Sequence, residues 1–261
     1  MPYMKIDLFS KALGRHSPVY VFLPEKGTGR MNAEGKLPVI WFLHGASWDN
    51  TIWQRFTKIE DYLKKAGIAA VFPLCENSFY TNIDTGRYFD YITKELPEVL
   101  GKNFPFSDKR EDNFVAGMSM GGFGAMKVGF NYPEKYSAIG LFAMGDCVHM
   151  EFPLVPGGLR EPLNIARILI WGTLDIEETQ GTEHDMHKLA REIVESGRPM
   201  PRIYATCGRQ DPCYDGTITM ARDLQRMGYE CTFTDANGLH DFEYWDPWLN
   251  VFIQWLLPVR D

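Results

Sequence analysis

The chain has 261 residues, 45% of them hydrophobic and 14% aromatic, enough to bury one large core, and α/β chains of this length commonly form a single domain. A formal charge of -7 without clustered Lys or Arg argues against a nucleic-acid partner, because binding to phosphates relies on such clusters. The longest apolar run, 37–43, is far too short to cross a bilayer, so no membrane span is expected.

The first ten residues, MPYMKIDLFS, lack a basic start followed by an apolar stretch. The first strand signal is PVYVFLP (18–24), followed by LPVIWFLHG (37–45), GIAAVFPL (67–74) and DNFVAG (112–117). YSAIGLFAM (136–144), RIYATCG (202–208) and YECTFTDA (229–236) continue the series, each of strand length. Helical periodicity fills 53–65, 86–100, 123–131, 186–195, 217–227 and 244–257. Alternation from residue 37 onward predicts an α/β fold: a mostly parallel sheet with helices on both faces and an antiparallel hairpin at its N-terminal edge. In such sheets ligands bind beyond the carboxyl ends of the strands. Residues 145–183, rich in proline and glycine, interrupt the alternation and are expected to form a cap-like insertion over those ends. Five scattered cysteines without a CxxC pair indicate neither a disulfide framework nor a zinc site. A reducing, cytoplasmic location is the expectation, with no metal and no cofactor.

GMSMGG (117–122) places Ser119 where a strand passes directly into an apolar helix. A reversal that tight brings backbone against backbone, and Gly117 and Gly121, two residues on either side of the serine, stand where side chains would collide. The serine itself falls in an unfavourable backbone region, which is retained only where surrounding structure enforces it. That is the signature of a presented nucleophile.

A serine hydroxyl is a weak nucleophile at neutral pH and requires a histidine base oriented by an acid. In this fold class the three follow in the order Ser, Asp or Glu, His. Of the six histidines, His149, His184, His187 and His240 follow Ser119. His149 lies in the irregular segment, and His184 and His187 open a helix, where surface positions are expected. His240, in DANGLHDFEYW, sits between the last strand and the last helix and is the expected base. For the acid, YATCGRQDPCYDG supplies Asp211 and Asp215 just after a strand. Asp211 is favoured because Asp215 falls at the expected N-cap of the next helix. Asp175, which also follows an apolar run, competes. The oxyanion requires two backbone donors, assigned to the amides of Met120 and Ala46, with Gly45 allowing the turn and His44 ordering the loop.

FLHGASWDNTIW, ENSFYTN, YITKELPEVL, GMSMGGFGAMKVGFNYPEKYSAI, CGRQDPCYD and GLHDFEYWDPWL together resemble the esterase D / tributyrin esterase group of α/β-hydrolases, from about residue 38 to 255. That group includes S-formylglutathione hydrolases, feruloyl esterases and acetyl xylan esterases. The resemblance implies Ser119 as nucleophile, Asp211 as acid, His240 as base, and oxyanion amides at Ala46 and Met120. Where the group carries a small Ser-Gly-Ala stretch, this chain has FAMGDC (142–147).

The expected activity is hydrolysis of short-chain acyl or hydroxycinnamoyl esters through an acyl-enzyme, with acetyl xylan esterase and S-formylglutathione hydrolase as alternatives. An acyltransferase and a non-catalytic binding protein are the competing classes. The only partner expected is a small-molecule ester, and a homo-oligomer is left open. Trp48, Trp53, Phe79, Tyr80, Phe152 and Trp245 are expected near the pocket, with Trp48, Tyr80 and Trp245 as substrate-binding residues. Phe152, Leu154 and Leu159 would narrow the acyl site. Arg87, Arg160 and Arg209 are the cations available to a single carboxylate.

Overall fold

The computed structural model describes residues 2–25, 27–144, 170–173 and 176–257. An antiparallel hairpin, β1 (Tyr3–Ser10) and β2 (Arg15–Phe22), starts the chain. β3 (Val39–Leu43) and β4 (Ala69–Pro73) follow, both fully buried. Two short strands, β5 (Asn82–Ile83) and β6 (Gly86–Arg87), form a separate hairpin. Then come β7 (Asn113–Met118), β8 (Ala138–Phe142), β9 (Arg202–Gly208) and β10 (Cys231–Ala236). Their order in the main sheet is β1-β2-β4-β3-β7-β8-β9-β10. Every pairing from β4 to β10 is parallel, and only β2, antiparallel to both β1 and β4, runs against the rest.

β3, β4, β7 and β8 are apolar on both faces because helices cover both. One core layer gathers Val39, Trp41, Val115, Ile139 and Phe123, and the other Ile40, Phe42, Phe114, Trp53 and Phe252. Strand succession changes direction between β3 and β7. The crevice beyond their carboxyl ends is therefore the topological switch point, where open α/β sheets bind ligands.

Several helices differ from expectation. The periodic stretch 53–65 is two helices, Ile52–Phe56 and Ile59–Ala66, because the Thr57 hydroxyl caps Trp53 O and the backbone at Thr57 turns extended. Residues 86–87 belong to β6, so the helical run starts at Tyr88 and passes through a π-helical turn, Tyr91–Glu95, before Leu96–Asn103. Asp215 lies in the first turn of Tyr214–Arg226, where a carboxylate suits the helix dipole; the N-cap position is Cys213. Of the expected cap over 145–183, only 170–173 and 176–183 fall among the described residues. His149, Phe152, Leu154, Leu159, Arg160 and Asp175 lie outside them.

His184 and His187, expected on the surface, are both buried. His187 Nδ1 stands 3.3 Å from Asp223, and the His184 ring packs edge-on against Trp171. Lys127, also buried, explains His184: its ammonium donates to Thr81 Oγ1 at 2.8 Å and lies 3.2 Å from His184 Nδ1. Burial holds the His184 imidazole down at about 4, with the Lys127 charge adding to the effect. It is therefore a neutral acceptor. Burial likewise lowers Lys127 from 10.5 to about 8, against the opposing attraction of Glu183. The unfolded chain then binds this proton more tightly than the folded one. The resulting destabilisation is complete below pH 8 and is relieved as pH rises from 8 towards 10.5. Lys127→Met is expected to gain on the order of 1 kcal/mol at pH 7, after deducting the lost partner of His184. Its advantage should vanish towards pH 10, as measured by urea denaturation across that range.

Candidate active site

β7 ends at Met118 and the helix Met120–Asn131 begins at once, leaving Ser119 alone to reverse the chain. Its φ of 53° and ψ of -121° are unfavourable for a side-chain-bearing residue, a strain on the order of 1–3 kcal/mol. Neighbours enforce it. Ser119 N–H donates to Phe142 O on β8 at 2.8 Å, and Ser119 O accepts from Gly122 and Phe123 N–H at 2.9 and 3.2 Å. A Cβ on Gly117 would overlap the Gly121 carbonyl, and one on Gly121 would overlap Leu43 O at the end of β3. Three backbone segments thus meet with nothing between them.

Asp211 and His240 come from the loops after β9 and β10, which are stitched together. Arg209 N–H donates to Ala236 O at 2.9 Å, Gln210 N–H to Gly238 O at 3.1 Å, and Gly238 N–H to Gln210 Oε1 at 2.8 Å. A Cβ on Gly208 would overlap Gly238 O, so this contact too requires glycine. His240 Nδ1 lies 2.8 and 3.0 Å from the two oxygens of Asp211, whose side chain is wholly buried. Asp211 Oδ1 also accepts Cys213 N–H at 2.7 Å, which fixes the carboxylate plane. Donation from Nδ1 leaves Nε2 as the acceptor of the ring. The edge of Trp245, 4.8 Å between centroids and 84° between planes, limits how the imidazole can rotate. Among the described residues no hydrogen bond joins Ser119 Oγ to His240 Nε2, and such catalytic contacts often tighten only in the Michaelis or transition-state complex.

The two expected oxyanion amides border the crevice. Met120 opens its helix, where the first N–H groups have no intrahelical acceptor. Ala46 lies in the turn after β3, between His44 and Ser47. His44 is buried with both ring nitrogens on backbone: Nδ1 donates to Gly45 O at 2.9 Å and Nε2 accepts Cys75 N–H at 3.0 Å. Burial pulls the His44 imidazole below its ordinary range, so it stays neutral.

The aromatic expectations need correction. Trp48 is exposed in the turn after β3, in edge contact with Phe56 and Phe242. Tyr80, by contrast, is fully buried: its hydroxyl donates to His44 O at 2.8 Å and its ring fills the space that a Cβ on Gly124 would take. It is a structural tie and cannot line a pocket. Trp245 and Trp53 are buried as well, Trp245 behind the His240 ring, while Phe79 is half-buried against Phe123 and Trp171. Arg87 and Arg209 are paired with Asp90 and Asp235.

Strain marks the site more widely. Among the described residues, the six non-glycine residues with positive φ, Ser47, Glu76, Phe79, Tyr80, Ser119 and Ala143, all follow the carboxyl ends of β3, β4, β7 or β8. Backbone strain of this kind concentrates at functional sites.

A family model described as "Putative esterase" matches residues 10–256. The chain belongs to the Esterase family. An acetyl esterase from Caldicellulosiruptor saccharolyticus is 26% identical over the full length of both chains. Among solved structures, the fluorophosphonate-binding serine hydrolase FphF of Staphylococcus aureus is 29% identical with a TM-score of 0.84. The S-formylglutathione hydrolase FrmB of the same organism is 30% identical with a TM-score of 0.83. Each covers 98% of both chains. The fold is that of the α/β-hydrolases, and this esterase is a serine hydrolase acting on ester bonds.

Asp211, Cys213 and His240 of the esterase form the one group of metal-type ligands gathered within 4.8 Å among the described residues. Their chemistry favours hydrogen bonding. Asp211 is already engaged by His240 and the Cys213 amide, and burial beside Asp211 pushes the Cys213 thiol up to about 12, so it keeps its proton.

The glycine contacts allow a test that does not depend on catalysis. Gly121→Ala should cost about 3 kcal/mol or more, because the new methyl meets backbone on β3 that cannot move aside, whereas Gly101→Ala, with nothing within 4 Å, should be neutral or better. Equilibrium unfolding in urea reads both.

Proposed function

We propose that Ser119 is the nucleophile, His240 the general base and Asp211 the acid that orients it, and that the amides of Ala46 and Met120 bind the oxyanion. The observation carrying this reading is the neutral-tautomer lock: a buried Asp211 holding His240 Nδ1 while Nε2 is left as acceptor on the side of the sheet where Ser119 is presented under strain. Nε2 takes the Ser119 proton as Oγ attacks the ester carbonyl, and charge passes to the carbonyl oxygen beneath the two amides. Collapse expels the alcohol, which receives the proton back from His240. Water, deprotonated by the same Nε2, then attacks the acyl-enzyme, and the acyl–Oγ bond breaks as His240 returns the proton to Ser119 Oγ and the acid leaves.

The substrate is read as a neutral ester with a short acyl group. Kinship with an acetyl esterase supports this, and the pairing of Arg87 and Arg209 leaves neither free to hold an anionic substrate. Exposed Trp48, beside the oxyanion turn, offers a flat apolar surface to a hydroxycinnamoyl group or to the alcohol. Hydrolysis of S-formylglutathione is a second reading, favoured by the 30% identity to FrmB.

Ser119→Ala should stay folded and lose about three orders of magnitude or more in kcat, and Asp211→Asn should lower kcat strongly with little change in KM by mis-setting the His240 tautomer. Activity of Ser119→Ala within about tenfold of wild type would overturn the assignment. Across p-nitrophenyl esters from acetate to decanoate, kcat/KM should peak between acetyl and butyryl and fall more than about tenfold by octanoyl. Methyl ferulate and S-formylglutathione in the same assay distinguish the remaining readings. Decanoyl as the best substrate would refute a short acyl site.

A further inference from the structure

The turn that carries the Ala46 amide is anchored unevenly. On its near side the ties are buried: His44 bonds Gly45 O and Cys75 N–H, and the Tyr80 hydroxyl bonds His44 O. On its far side Asn50 is buried, its amide donating to Pro18 O at 2.9 Å and Phe72 O at 3.2 Å. Between these anchors Ser47 holds a φ of 63°, the left-handed region that a serine adopts at a cost. Among the described residues one side chain bonds it: Asn77 Oδ1 accepts Ser47 N–H at 2.7 Å across thirty positions of sequence. Glu76, beside Asn77, is itself held with positive φ by the Tyr88 hydroxyl at 2.5 Å and by Arg15.

We propose that Asn77 is a positioning residue for catalysis, clamping Ser47 in its left-handed conformation and so fixing the direction of the Ala46 amide. This rests on the assignment of Ala46 as an oxyanion donor. With both ends of the turn pinned, relaxation of Ser47 towards negative φ is absorbed by rotation within the turn, at residues 45 and 46 as well as 48 and 49. That rotation swings the Ala46 N–H away from the place where negative charge develops. The ground-state ester carbonyl depends on this donor far less than the tetrahedral intermediate does, so the loss falls on kcat.

Asn77 is exposed, and truncating it leaves no cavity. Asn77→Ala should lower kcat by about 10- to 100-fold with KM within about threefold of wild type. The inhibition constant of a trifluoromethyl ketone, which forms a tetrahedral oxyanion on the serine, should weaken in step, while the melting temperature changes little. Adding Ser47→Gly to Asn77→Ala should recover at least about threefold in kcat, because glycine takes positive φ without a steric cost. Unchanged kcat in Asn77→Ala, or a loss confined to KM or to stability, would overturn the proposal, as would a kcat loss that Ser47→Gly does not relieve. Ser119→Ala, run in parallel, separates the two levels. If it is inactive while Asn77→Ala is normal, only the clamp fails; if it stays active, the catalytic assignment beneath it fails.

Discussion

Backbone touching backbone is the constraint on which the active end of this esterase depends. Gly117, Gly121 and Leu43 O meet where β7 turns into its helix, and no side chain fits between them. Because the turn cannot widen, Ser119 cannot relax from its positive φ, and its side chain is left standing at the carboxyl end of the sheet. The same contact puts the N-terminus of the helix Met120–Asn131 directly beside the end of β3, so the two amides assigned to the oxyanion come from adjacent segments. One steric fact thus presents Ser119 and brings the amides proposed as oxyanion donors beside it.

Asp211 and His240 use the same device at the next pair of strands. Gly208 lies against Gly238 O, and three further hydrogen bonds bind the two loops into one unit, so Asp211 and His240 move together if they move at all. A hydrogen bond between separately mobile loops would cost ordering entropy at every turnover. Here that cost was met when the chain folded.

Much of this was legible in the chain. The buried strands from β3 onward are continuous apolar runs, and the glycine spacing around Ser119 has a steric cause that does not need coordinates to state. His240 and Asp211 followed from chain order and from their places after β10 and β9. β1 was harder, since YMKIDLFS alternates exposed and half-buried residues at a sheet edge and has no continuous apolar run. The burial of His184 and His187 was hidden because polar side chains at a helix start ordinarily face water, and only distant partners, Lys127 for His184 and Asp223 for His187, make it tolerable. Tyr80 in ENSFYTN attracted notice as an aromatic residue for substrate, yet its hydroxyl is spent on His44 O. The Asn77 contact joins positions thirty apart, and local pattern carries no trace of it.

The position of β8 has a geometric consequence. It lies between β7, which leads into Ser119, and β9, which leads towards Asp211, so those two strands are separated by two strand spacings, about 9.6 Å in the sheet plane. That gap is too wide for direct contact and suits one intervening imidazole. β8 is therefore a ruler for the site, pinned on one side by Ser119 N–H to Phe142 O and on the other by Ala143 N–H to Thr206 O, both at 2.8 Å. His240 has to reach back over β9 from the sheet edge to fill the interval, so the length of the loop after β10 is matched to the width of the sheet.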